Sequence, residues 1–333
     1  MNQMNHDKRK KIVLALVLAT VIVIITYFYN HYLQSSEPIA KNGFYFNTVI
    51  AIQLNDTSDE TLIDDCFALA DTYEHYFSRT MEGSDIYMIN HAGGAPVEVH
   101  DETAELIRAG IEYGTMSDGM FDISIGALTE LWDIPNNEGV IPDETSIREA
   151  AETVDYTQIL VDGNIVTLKD PDAQLDLGGI AKGYAADKMK EYLNAHGAHE
   201  GFINLGGNVL TLGEKSDGSP YHIGIRKPFS EDGETITAVD VSDRSIVTSG
   251  RYERYFEKDG RIYHHILDPF TGYPYENDLN GVTIISDSSM EGDALSTICF
   301  ALGMEKGMDL IKSMPDVDAV FIDTDNNLRD TRR

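Results

Sequence analysis

The sequence predicts an α+β fold: mixed or antiparallel sheets with interspersed helices, preceded by one N-terminal transmembrane helix. Three observations carry this. Hairpin signals recur where strand-like runs meet, as at Asp162-Gly163 and Asp259-Gly260. The helical segments are scattered among the strands instead of alternating with them, which argues against a regular βαβ series. The opening residues place a basic cluster before an uncharged apolar run.

That run comes first in the chain. Lys8, Arg9, Lys10 and Lys11 precede about 18 apolar residues from Ile12, interrupted only by Thr20 and Thr26, just long enough to span a bilayer. The positive charges put residues 1–11 in the cytoplasm as a basic tail. Residues 12–30 then read as an uncleaved signal anchor, with a cleaved signal peptide as the competing reading. Tyr27, Tyr29 and Tyr32 supply an aromatic belt on the far side. Residues 31–43 form a linker, and the main domain, 44–333, is expected outside the cytoplasm. A net charge of −31 over 333 residues disfavours nucleic acid as a partner. It also requires any phosphate site to be locally cationic.

Within the domain, Phe44 to Leu54 alternates as a strand. Ser58 caps a helix reaching about Tyr76, and Ser84 to His91 is a short helix or turn. A brief strand at Val97–Val99 precedes a helix from Asp101 to about Met116. The loop Ser117–Gly126 leads to a short helix carrying Trp132, and Pro142 opens another helix. Strands follow at Gln158–Val161 and Asn164–Leu168, then a glycine turn and a helix to about Ala195. Phe202–Leu212 is strand-like with a break at Gly206-Gly207. Further strands read at Tyr221–Arg226, Ile236–Val241, Tyr252–Lys258, Arg261–Leu267 and Val282–Ser286. Helices at Ser289–Leu302 and Glu305–Met314 precede Val320–Ile322 and a last short strand. Two cysteines, Cys66 and Cys299, lie in apolar helical patterns; both buried free thiols and a disulfide remain open.

The richest motif is Asp-Leu-Gly-Gly-Ile-Ala-Lys-Gly-Tyr-Ala-Ala-Asp at 176–187. Gly178 and Gly179 let backbone N–H groups approach a ligand, and the helix start behind them favours an anion. Lys182 adds a point charge suited to phosphate. The glycine spacing matches neither the dinucleotide fingerprint nor the P-loop. A plain strand-to-helix turn is the alternative reading. Asp293 and Thr297, four apart on one helix face, suit either a hard cation or simple helix-dipole stabilisation. His264 and His265 are adjacent on a strand, so at most one easily faces a site. Either a general base near Asp268 or a structural histidine fits. Asn204 and Asn208 flank two glycines and suit either reading a ligand's hydrogen-bonding edge or a plain bulge or turn, and Ser249-Gly250 could meet a phosphate or ribose.

The ordered set is far more specific than its parts. Ser84-x-Ile-x-x-Ile-Asn90, Gly119-x-Phe-Asp-x-Ser124 and the 176–187 motif come first. Asn204-Leu-Gly-Gly-Asn208, Thr248-Ser-Gly, His265-Ile-Leu-Asp-Pro-x-Thr-Gly and Asp293-Ala-Leu-Ser-Thr297 follow. Together they resemble the ApbE family, the FAD:protein FMN transferases, over essentially the whole chain after residue 44. The resemblance implies magnesium-dependent transfer of FMN from FAD to a threonine of an acceptor protein, with release of AMP. It implies metal ligation by Asp293, Thr297 and a backbone carbonyl near Gly179. It implies His265 as base, oriented by Asp268, with Lys182 on the ligand phosphates. Ser84, Asn90, Phe121, Asp122, Gly178, Asn204, Ser249 and His265 match positions around the FAD pocket. The expected acceptor is a membrane or secreted redox protein. Two departures stand out: the family's lipoprotein cysteine is replaced by the anchor run, and Ser124 stands where threonine is common. A magnesium-dependent FAD pyrophosphatase and a non-catalytic FAD carrier remain the alternatives.

Overall fold

The computed structural model describes residues 19–24 and 37–332, apart from 135, 138, 231 and 232. The predicted tail and most of the predicted anchor lie outside these residues. Of the anchor run, residues 19–24 are described, and they are helical and exposed. Among the described residues no helix is long and apolar enough to cross a membrane.

The centre of the fold is an eight-stranded sheet, built from β1 (Ile39–Tyr45), β2 (Thr48–Leu54), β6 (Gly201–Leu205), β7 (Asn208–Leu212), β10 (Ser245–Gly250), β13 (Leu279–Ser286), β14 (Asp318–Asp323) and β15 (Leu328–Asp330). They lie side by side in that order. Every ladder in the sheet is antiparallel. The predicted sheet class is therefore met by its antiparallel form. Smaller sheets pair β3 (Val97–Glu98), β5 (Ile165–Leu168) and β4 (Ile159–Asp162), then β8 (Tyr221–Arg226) with β9 (Thr235–Val241), and β11 (Tyr255–Lys258) with β12 (Arg261–His264). The helices are α1 (Thr61–Phe77), α2 (Asp85–Asn90), α3 (Asp101–Met116), α4 (Gly126–Trp132), α5 (Glu144–Glu152), α6 (Ala181–Ala195), α7 (Ser289–Leu302) and α8 (Met304–Ser313).

Strand alternation divides the central sheet into two faces. Ile50, Ile52, Leu54, Ile203, Leu205, Leu210, Val282, Ile284 and Phe321 point to the main core, which α1, α6, α7 and α8 cover. Ile246, Ile285, Val320 and Ile322 point the other way, where the β8–β9 hairpin covers them with Tyr221, Ile225, Val239 and Val241. A third cluster surrounds Trp132, whose Nε1–H donates to the Gly272 carbonyl at 2.7 Å. Cys66 and Cys299 are both buried and unpaired, and burial pushes each thiol up to about 12.

Several elements depart from the sequence reading. The domain's first strand begins at Ile39, inside the segment read as linker, and the single strand Phe44–Leu54 is a hairpin. Its turn is Phe46-Asn47, both at φ +53°, a left-handed pair that normally announces itself by glycine. The first long helix starts at Thr61 and gains no side-chain cap from Ser58. β10 is a central strand where the sequence reading shows only a polar ligand motif; Ser245, Thr248 and Ser249 interrupt its apolar pattern. The break at Gly206-Gly207 is a two-residue hairpin turn, with φ +63° and +101°.

Candidate active site

The chemistry gathers where α6 crosses α7. A Cβ on Gly183 would lie 2.3 Å from the Ser289 carbonyl oxygen and 2.6 Å from Met290 Cα. Only glycine permits this approach of two helices. The crossing brings the glycine turn of the 176–187 motif, at the start of α6, against the first turns of α7. It is clamped by Asp187, whose carboxylate accepts from Ser288 Oγ (2.7 Å), Ser289 N (2.7 Å) and Met290 N (3.0 Å). Asp187 thus satisfies two of the orphan N–H groups at the start of α7. Burial nevertheless raises its pKa.

Asp293 lies at the centre of this contact and is buried. Its Oδ2 accepts from Gly183 N at 2.6 Å and its Oδ1 from Asn208 Nδ2 at 3.0 Å. Both donors are neutral. Burial raises the pKa of this carboxyl, and the nearby Lys182 opposes the rise. Thr297, one turn on, holds its hydroxyl 3.4 Å from the Asp293 carbonyl and 3.3 Å from Ser249 Oγ. Ser249 also bonds Ser296 Oγ at 2.7 Å, and Ser296 Oγ donates to the Asp293 carbonyl at 2.9 Å. Because Gly183 N turns to Asp293, the carbonyl of Gly179 receives no hydrogen bond among the described residues. Gly179 is exposed under Phe121, whose ring would lie 2.9 Å from a Cβ placed there. A carboxylate, a hydroxyl and an unclaimed carbonyl form an oxygen-only set suited to a hard divalent cation. It is sparse, since among the described residues no group of three or more His, Cys, Asp and Glu could hold a metal.

Lys182 extends past the turn with Nζ 3.4 Å from the Gly178 carbonyl, while Gly178 N donates to Asp176 Oδ1 at 2.8 Å. Asp176 in turn faces Arg79 at 3.4 Å. Lys182 is close enough to act electrostatically on Asp293, His265 and Glu253. Crowding by protein, then His264, Arg254 and Lys182, lowers the pKa of His265. The residue is nonetheless exposed to water. The cationic neighbours are therefore the firmer reason for expecting a neutral imidazole at pH 7. Its Nδ1 lies 3.3 Å from the Arg254 carbonyl, an arrangement that leaves Nε2 free to accept a proton. His264 points the opposite way, as strand alternation requires. It is buried, and its Nε2 meets the Tyr275 carbonyl at 2.9 Å.

Several expected site residues also make hydrogen bonds within the scaffold. Asp268 does not reach His265. Its carboxylate accepts from Phe270 N (2.9 Å) and Thr271 Oγ1 (2.9 Å), closing its own Asp-Pro-Phe-Thr turn. Ser84 caps α2 by accepting from Tyr87 N at 3.1 Å and donates to the Ser78 carbonyl. Asn90 brackets the backbone of Leu175, donating to its carbonyl at 2.9 Å and accepting from its N–H at 2.7 Å. Asp122 is buried and accepts from Ser124 N, Ser124 Oγ and Tyr156 N, and burial raises its pKa. Ser84, Asn90 and Asp122 thus brace the scaffold through these bonds, and each keeps further hydrogen-bonding capacity for a ligand. Asn204 Oδ1 accepts from Gly207 N at 2.9 Å and shapes the β6–β7 turn. A cavity of about 500 Å³ beside α5 contains none of the predicted site residues.

The model of the ApbE family matches residues 46–321, which takes in every group just described. The chain belongs to the ApbE family. It is 40% identical over 267 residues to an FAD:protein FMN transferase of Klebsiella pneumoniae, covering 79% of this chain and 83% of the relative. It is 36% identical to one from Treponema pallidum, over 80% and 78% of the two chains. Among solved structures, the ApbE protein of Thermotoga maritima superposes with a TM-score of 0.82 at 30% identity, covering 89% and 97% of the two chains. The flavin transferase ApbE of Vibrio cholerae gives 0.79 at 26% identity, over 88% and 96%.

Against this ApbE frame, motif reading missed three groups. Asp187 closes the 176–187 motif, but its partners lie about a hundred positions on, beyond any local pattern. Glu253 and Arg254 stand three and four residues after Gly250 of the Thr248-Ser-Gly motif, and that proximity is the available signal. Asn208 had been noticed, but as a ligand reader and not as a partner of Asp293.

Proposed function

We propose that this chain transfers FMN from FAD to a threonine hydroxyl of an acceptor protein, with magnesium bound, forming a phosphoester and releasing AMP. The observation that carries this reading is the buried Asp293 carboxylate, whose hydrogen bonds come only from neutral groups, set beside Lys182 and Thr297. Such a carboxylate calls for a cation, because a buried charge is stable only when compensated. Asp293, Thr297 and the Gly179 carbonyl would hold it. Magnesium bound there would neutralise charge building on the pyrophosphate.

The remaining roles belong to the chain itself. Lys182 and the exposed glycine turn bind and orient the phosphates in a protein whose overall charge repels them. The threonine oxygen attacks the flavin-side phosphorus. Its new O–P bond forms as the bond from that phosphorus to the bridging oxygen breaks, and AMP leaves with that oxygen. The hydroxyl proton passes to His265 Nε2, which is neutral beforehand. Arg254 holds the ring through its carbonyl, the part once expected of Asp268.

The basic cluster and apolar run at the N-terminus support a membrane-anchored enzyme with its domain outside the cytoplasm. A membrane or secreted redox protein would then be the acceptor. Recovery of the full chain in the soluble fraction would refute the anchor.

The function is tested by incubating the protein with FAD, Mg²⁺ and a candidate acceptor, then weighing the acceptor by mass spectrometry. A gain of one FMN is expected. Free FMN and AMP without an adduct would identify a pyrophosphatase instead, and unchanged FAD a carrier. Asp293→Ala should abolish metal-dependent turnover, and retained turnover would remove Asp293 from the metal site.

A further inference from the structure

The geometry points to Asn208 as a positioning residue that fixes the metal-facing orientation of Asp293. The inference rests on the magnesium site proposed above. Asn208 opens β7 directly after the glycine turn and is 3% exposed. Its amide stands between two groups of α7. Nδ2 donates to Asp293 Oδ1 at 3.0 Å, and Oδ1 accepts from Ser289 Oγ at 2.6 Å.

The hydroxyl removes the ambiguity of the amide. An ionised carboxylate only accepts, so the NH₂ must face Asp293. The opposite oxygen then requires a donor, and Ser289 is that donor. Turned round, the amide would set oxygen against carboxylate and NH₂ against a hydroxyl that has lost its acceptor. Gly183 N holds the second carboxylate oxygen at 2.6 Å. Each oxygen of Asp293 therefore has one fixed donor and keeps a lone pair for a cation. The carboxylate can neither rotate nor be drawn away by a second donor. Ser289 itself is held by Asp187 through its backbone N–H, so the relay runs from α6 through α7 to β7 and back to Asp293.

Outer groups that orient a ligand typically change metal affinity by about 10- to 100-fold when removed. The test uses Mn²⁺ as probe, titrated into the full chain and followed by electron paramagnetic resonance, with circular dichroism reporting the fold. Asn208→Ala should weaken Mn²⁺ binding by about 10-fold or more. The Mg²⁺ concentration for half-maximal turnover should rise by a similar factor, with turnover largely restored at saturating Mg²⁺. FAD binding without metal should stay unchanged. Ser289→Ala, which removes one hydroxyl, should weaken Mn²⁺ binding in the same direction and serves if Asn208→Ala fails to fold. A folded variant of either kind that binds Mn²⁺ as the parent does overturns the proposal. A parent protein that binds no Mn²⁺ overturns the metal site itself, and this inference with it.

Discussion

At the scale of single residues, the site depends on what is missing as much as on what is present. Gly183 has no side chain, and a Cβ there would meet backbone rather than a side chain that could swing aside. Gly183→Ala should therefore push α6 from α7 and move the N–H that Asp293 uses. We expect a loss of about 1–3 kcal/mol in stability, typical of overpacking, and a larger proportional loss of metal-dependent activity. Denaturant titration alongside turnover checks both. The residue scale also shows how far sequence reading reaches. Asp293 and Thr297 could be paired from their spacing, because a helix places residues four apart on one face. The bracing bonds of Ser84, Asn90 and Asp122 could not be read by the same means. A motif fixes residue type and order, whereas their role is decided by partners far along the chain, such as Leu175 for Asn90.

At the scale of elements, α7 is held at its N-terminus from outside. Ser288 caps it locally through Glu291 N at 3.2 Å, and Asp187 supplies the rest from α6. Asp187→Ala would leave two backbone N–H groups and a hydroxyl without their partner. The expected cost is about 1–3 kcal/mol, read as a shift of the denaturation midpoint with little change in slope. Asp187→Asn keeps one acceptor oxygen and should lose less. Elements also differed in legibility. Asp162-Gly163, Gly206-Gly207 and Asp259-Gly260 announced their turns by glycine at positive φ. Phe46-Asn47 adopts the same backbone region with ordinary side chains, so the β1–β2 hairpin read as one strand. β10 was hidden because Ser245, Thr248 and Ser249 interrupt its apolar pattern while lying inside the sheet.

At the scale of the whole molecule, His264 joins three parts of the fold. It ends β12, bonds the Tyr275 carbonyl and meets the Phe300 ring of α7 edge-on, with ring centres 5.5 Å apart. Burial lowers its pKa from 6.5 to about 4. The unfolded chain therefore binds a proton between those values that the folded chain does not, and stability must fall as pH drops through that window. The shift corresponds to a loss of about 3 kcal/mol by the acid end, with no contribution from this group above pH 6.5. Denaturation midpoints measured between pH 7 and 4 should fall, and His264→Gln should flatten the fall. An unaltered pH slope in a folded His264→Gln protein would remove His264 as the cause.

The path by which the chain enters the sheet has a mechanical consequence. β1 is an edge strand, and its first residue, Ile39, pairs with Leu54 at the open end of the β1–β2 hairpin. A pull applied upstream of Ile39 would load the ladder like a zipper, parting one pair at a time towards the Phe46-Asn47 turn. Force entering there would be spent on the sheet's margin, with the β2–β6, β6–β7 and β7–β10 ladders still between it and β10. Under such a pull the domain would yield at its edge and keep its reactive centre assembled.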